Sequence, residues 1–142
     1  MDVAIWNELH DGTITEVVGT LPGEMRVKVE IEYLCDYLPT QAKHVFVTLT
    51  DCERFEYAPY EGSVIPIPAE VAALELELLS AGEDGNDMCV ECADGSYGGK
   101  LWLRYHIERT ATAEGIELSQ ATLEYAVNLS VTEWIQRNDS AS

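Results

Sequence analysis

Met25, Val27, Val29, Ile31 and Tyr33 alternate with Arg26, Lys28, Glu30 and Glu32, a period of two that predicts a half-buried strand over nine residues. Upstream, Thr13–Gly19 holds the β-branched Ile14, Thr15, Val17 and Val18, and Leu21-Pro22-Gly23-Glu24 supplies the proline and glycine of a turn. The two segments read as a hairpin. Residues 44–50 and 53–57, rich in Val, Phe and Thr, predict a second pair joined by Asp51-Cys52. The spaced prolines of residues 63–68 cannot donate to a ladder, so that stretch is an edge or a crossover.

Residues 69–79 combine good helix formers with a Leu/Glu alternation. They predict one short helical turn and then a strand, with Leu74, Leu76 and Leu78 facing inward. Glu83-Asp84-Gly85-Asn86 then turns the chain into a partner strand, Asp87–Ala93, and residues 94–99, with three glycines, form a loop. Over residues 100–109, Leu101, Leu103, Tyr105 and Ile107 alternate with Trp102, Arg104, His106 and Glu108, which predicts a last long strand. The period then changes. Leu123, Ala126, Val127, Val131 and Trp134 recur at three- and four-residue spacing after Ser119, a natural N-cap. The pattern predicts a mainly β fold: an antiparallel sheet, sandwich or open barrel of about seven to eight strands with one C-terminal amphipathic helix. No repeat or linker divides the chain, so residues 1–137 read as one globular domain and 138–142 as a frayed tail.

Composition agrees with a folded chain: 142 residues, 46% hydrophobic and 24% charged, lie away from the composition of disordered proteins. No apolar run approaches the roughly 18 residues of a membrane span, and MDVAIWNELHDG lacks the regions of a signal peptide, which together predict a cytoplasmic protein off the membrane. Charge is the exceptional property. The formal charge is -18, and between Arg54 and Lys100 forty-five residues carry ten carboxylates and no Lys, Arg or His. Eight basic residues among twenty-six acids cannot neutralise a row of phosphates, which excludes direct nucleic-acid binding.

Candidate chemistry is sparse. Cys89 and Cys92 have a C-x-x-C spacing, and with Cys35 and Cys52 they could supply four zinc thiolates. In a strand, however, residues three apart point to opposite faces, and Cys35 and Cys52 are seventeen apart, so buried reduced thiols are the expected state. His10-Asp11 could pair a base with a carboxylate, but Asp11-Gly12 reads better as a turn. His44 opens a strand beside Lys43 and reads as exposed. Asp84-Gly85-Asn86-Asp87 falls short of a calcium loop, and no nucleotide-binding or α/β-hydrolase motif is present. A non-enzymatic protein without metal or cofactor is expected.

Three function classes follow. In the first, an acidic face formed by Glu61, Glu75, Glu77, Glu83, Asp84, Asp87 and Glu91 docks a basic protein partner, as an immunity protein covers a nuclease or a nucleic-acid mimic fills a basic groove. In the second, Trp102, Arg104 and His106 form a small-ligand pocket with Tyr125 and Trp134 of the closing helix. The third is an accessory protein that associates with itself or another chain through strand edges or the apolar helix. The carboxylates also have a bland role, keeping a β-rich surface soluble.

Overall fold

The computed structural model describes residues 1–95 and 97–141, the last two by their backbone only. Among them the elements are α1 (Val3–Glu8), β1 (Thr13–Gly19), β2 (Gly23–Glu30), α2 (Glu32–Cys35), β3 (His44–Cys52), β4 (Arg54–Pro59), α3 (Pro68–Ala73), β5 (Glu77–Asp84), β6 (Asp87–Ala93), β7 (Gly98–Arg104), β8 (Glu108–Thr112), β9 (Glu117–Leu118) and α4 (Gln120–Ala141). The strands form one open antiparallel sheet in the order β4-β7-β6-β5-β1-β2-β3-β8-β9. This is the mainly β class with a C-terminal helix that the period-two segments predict. Alternate residues point inward: Met25, Val27 and Val29 of β2, Val45, Val47 and Leu49 of β3, and Met88, Val90 and Cys92 of β6 join one buried cluster.

Two bent strands fold the sheet over. β3 runs on into β4 through Glu53, and β7 into β8 through residues 105–107. The register that pairs Val45 to Leu49 with Thr112 to Glu108 resumes as Arg54 to Pro59 against Arg104 to Gly99. β3 and β4 are therefore not the hairpin expected from residues 44–50 and 53–57. Asp51 takes a left-handed φ of 49° and bends the chain without reversing it. Backbone bonds from Thr50 N–H to Ile107 C=O and from Glu53 N–H to Arg104 C=O carry the pairing through the bend. The same bend interrupts the strand expected over 100–109: Leu101, Leu103 and Tyr105 are buried, Ile107 is exposed, and Thr110 and Thr112 take the inward positions beyond it. At its other end β7 already begins at Gly98, inside the loop expected over 94–99, of which Ser96 lies outside the described residues.

The β1–β2 hairpin forms as predicted, with a bulge between Ile14 and Glu16, but β2 ends at Glu30 and not at Tyr33. Ile31 N–H bonds to Lys43 C=O and the chain turns into α2, carrying Tyr33 off the sheet. The 69–79 segment splits as expected into a short helix and a strand: Glu75, at φ 51°, separates α3 from β5, and Leu76 and Leu78 are buried while Leu74 is half-buried. β5 and β6 close a two-residue turn at Gly85-Asn86, where Gly85 supplies a φ of 63°. β1 and β5 pair in register at Thr13 and Glu77, and beyond that point α3 packs against β1 and β4, burying Val71 and Ala72.

Helix α1 has no counterpart in the predicted elements. Asp2 caps it, its carboxylate accepting from Ala4 N–H at 2.9 Å, and Ile5 and Trp6, with the following Leu9, are buried. The Asn7 amide donates to Ala81 C=O and accepts from Ala81 N–H, so it occupies the free edge of β5 much as a neighbouring strand would. Ser119 caps α4, its hydroxyl accepting from Thr122 N–H at 3.1 Å. Leu123 and Ala126 are buried where α4 packs on α1 and α2, but Val131 and Trp134, expected on the same packed face, are exposed. With 22 residues the helix is about 33 Å long and outruns the body that would cover it. Residues 138–141 continue the helix, and Ser142 of the expected tail lies outside the described residues.

Candidate functional site

The sheet sorts the charges. Arg26, Lys28 and Arg109 alternate with the buried residues of β2 and β8, and so lie on the outer face of that half of the sheet. Arg54, Lys100 and Arg104 lie likewise on the outer face of β4 and β7. Lys43 pairs with Glu32, and Arg137 with Glu133. In contrast, Glu61, Glu70, Glu75, Glu77, Glu83 and Asp84 are all exposed, and among the described residues none has an ion pair or a side-chain hydrogen bond. Glu75 and Glu16 also share a shallow depression of about 330 Å³ lined by Ala69, Ala72 and Ala73.

Two residues expected on the acidic face belong elsewhere. Asp87 sits between two guanidiniums, Arg104 Nε at 2.6 Å and Arg54 Nη1 at 2.8 Å, and its side chain is 13% exposed. Arg54 also pairs with Glu56 and lies 5.0 Å from the centre of the Trp102 ring. Glu91 lies opposite Lys100 in the register and accepts a hydrogen bond from Tyr60. Period-two alternation puts Asp87 and Glu91 on one outer face, but only the pairing of β6 with β7 and of β7 with β4 brings Lys100, Arg104 and Arg54 to that face.

The Arg104 and Arg54 contacts hold the Asp87 carboxyl below the usual carboxylate range. A carboxyl with a depressed folded pKa contributes stability above its unfolded value of about 3.9 and loses it as pH falls through the folded value. Asp87→Asn is therefore expected to melt below the wild type at pH 7, with the gap closing as pH falls below about 3.9. Thermal melts at stepped pH check this; a gap that stays constant down to pH ~2 would show that the Asp87 charge is not what holds the two arginines.

The five residues expected to form a ligand pocket do not meet. Arg104 and His106 line an open depression of about 700 Å³ at the strand bends, with Asp51, Glu53, Pro22 and Gly23. Trp102 lies under Arg54 on the outer face of β7, Trp134 lines a different cleft, and Tyr125 is exposed on α4. The reason is that α4 packs on α1 and α2 and not across β7. Cys89 is half-exposed and Cys92 buried on opposite faces of β6, as alternation requires. Burial pushes the Cys35 and Cys52 thiols up to about 11 and Cys92 up to about 12, so they are protonated and weakly nucleophilic near neutral pH. No cluster of three or more His, Cys, Asp or Glu placed to hold a metal occurs among the described residues.

A cleft that the predicted pocket missed lies between α2 and α4, about 380 Å³ in volume. Its lining combines His10, Tyr33 and Tyr37 with Val131, Trp134 and Arg137. Tyr33 donates to His10 C=O at 2.7 Å, and the Tyr37 hydroxyl bonds to Glu133, which also holds Arg137. The signal for it is the spacing of Tyr33 and Tyr37, which in a helix puts both rings on one side; the strand-like alternation over residues 25–33 masks it. Comparison of the chain with protein-family models, characterised proteins and solved structures yields no match.

Proposed function

We propose that this chain is a non-catalytic binding protein that docks a basic protein partner through its carboxylate-rich surface. The observation that carries the reading is the run from Glu61 to Asp84: six exposed carboxylates, unpaired among the described residues, in a segment that holds no Lys, Arg or His. A carboxylate needed only for packing or register finds a partner within the fold, as Asp87 does. Six without one keep their field directed outward, where it speeds encounter with a positive surface and rejects a negative one. Glu61, Glu75, Glu77, Glu83 and Asp84 from the predicted face, joined by Glu70, are the contact candidates.

The test compares the wild type with a variant carrying amides at those six positions, both immobilised at low salt in cell extract and eluted with a salt gradient. Basic proteins held by the wild type, released at moderate salt and missing from the variant are the expected result. The Debye length contracts from about 10 Å at 0.1 M to about 3 Å at 1 M, so contacts through exposed charge weaken over that range. Equal retention of the same proteins by both forms would sink the reading and return the carboxylates to a role in solubility.

A further inference from the structure

The overhanging half of α4 exposes Val131 at 49%, Trp134 at 65% and Ile135 at 48%. Their three- and four-residue spacing makes one apolar strip, and Val131 and Trp134 also line the α2–α4 cleft. A contiguous apolar strip beside a cleft is the form of an interaction surface, whereas scattered apolar residues are ordinary. Within the cleft, Tyr33 and Tyr37 supply aromatic rings from the α2 side and Trp134 from the α4 side, and Asp11 and Asp36 supply fixed negative charge. Arg137 does not offset it, because Glu133 already holds that guanidinium.

Further carboxylates lie beyond the lining itself, Glu8 among them. Burial, then Asp11 and Glu8, push the Tyr33 phenol up to about 12, and burial, then Glu124, push the Glu8 carboxyl above its usual range. Aromatic rings and uncompensated carboxylates together recognise a cation, and an apolar strip alongside recognises the apolar side of the segment that carries it. A second copy of this chain, with a formal charge of -18, brings the wrong sign.

We infer that the α2–α4 cleft and the Val131/Ile135 strip form the docking site for a basic amphipathic helix, with one lysine or arginine entering beside Trp134 and the two tyrosines. This rests on the basic-partner reading above and adds where the short-range contact is made. The carboxylates from Glu61 to Asp84 then act mainly in steering, and the cleft in holding.

The probe is a helical peptide of leucine and lysine about four turns long, with a leucine/glutamate peptide as control, titrated at low salt against the full chain. Saturable binding with a blue shift of Trp emission is expected, and the shift should vanish in Trp134→Phe. The Val131→Ser/Ile135→Ser double variant should bind about tenfold more weakly or worse, with an unchanged melting temperature because both positions are exposed. Undiminished binding by the double variant, with no change in Trp134 emission, overturns the cleft as the docking site and leaves the basic-partner reading standing. No calorimetric binding of the lysine peptide overturns both. Equal binding of the glutamate peptide overturns the charge argument.

Discussion

Replacing Trp6 by alanine is expected to lower the unfolding free energy by about 3–5 kcal/mol, the largest loss expected from truncating any single side chain of this core. Trp6 is 1% exposed, the largest fully buried side chain of the core. Its Nε1–H donates to the Tyr105 hydroxyl at 2.8 Å, and Tyr105 donates in turn to Glu108 at 2.9 Å. Glu108 also accepts from the backbone N–H of Asp2, the N-cap of α1, so the indole closes a loop of contacts that clamps α1 to the bend between β7 and β8. Truncation removes apolar area, leaves a cavity in a close-packed interior and strips Tyr105 of its donor. For a chain of 142 residues the loss corresponds to a fall of roughly 10–17 °C in melting temperature. Trp6→Phe retains most of the packing and lacks the donor, and should lose about 1–2 kcal/mol. Denaturant titration measures both; a loss under about 1 kcal/mol for the alanine variant would mean that α1 does not pack as described. Because α1 leads into His10 and Asp11, the alanine variant should also weaken the lysine peptide at the α2–α4 cleft.

The difference between what is legible in the chain and what is not follows the range of the interactions. Period-two alternation in β2, β6 and β7 reports which side chains face the core, and Met88, Val90 and Cys92 are buried as it requires. It carries no information about partners. Asp51-Cys52 looks like a hairpin connection, and only the pairing of Thr50 with Ile107 and of Glu53 with Arg104, contacts between distant segments, makes it a bend. The three- and four-residue spacing of α4 tells that a helix forms, but not that Val131 and Trp134 stay exposed at the rim of a cleft. The local signals for α1 are Asp2 as a cap and Ile5 and Leu9 four residues apart, a periodicity too short to stand out beside the long strands that follow. For the candidate site, the local density of carboxylates is plain in the chain, whereas their neutralisation is not. Asp87 finds its cations on β4 and β7, Glu91 lies opposite Lys100 and accepts from Tyr60, and Glu61, Glu75, Glu77, Glu83 and Asp84 have no ion-pair partner among the described residues.

Gly99→Ala is expected to cost about 1–3 kcal/mol although it adds only one methyl group. Gly99 sits in β7 opposite Cys92 and Pro59, and a Cβ there would stand 2.6 Å from the Ala58 carbonyl oxygen and 2.6 Å from Cζ and the hydroxyl of Tyr57. Neither neighbour yields easily. The Ala58 carbonyl belongs to the adjacent strand, and the Tyr57 ring is fully buried with its hydroxyl donating to Asp94 at 3.1 Å. A methyl group must therefore displace the ring, break that hydrogen bond or part β4 from β7. Asp94 is the other end of the strain, since its carboxylate also accepts from Tyr97 N–H and its own N–H donates to Tyr97 C=O, closing the turn into β7. Tyr57→Phe alone should cost about 1 kcal/mol, the worth of the hydrogen bond. If the ring is the obstacle, Gly99→Ala should cost much less in a Tyr57→Ala background than in the wild type, because residues in contact do not contribute additively. Full additivity in that double-mutant cycle, measured by denaturant unfolding, would assign the penalty to the Ala58 carbonyl and to strand separation.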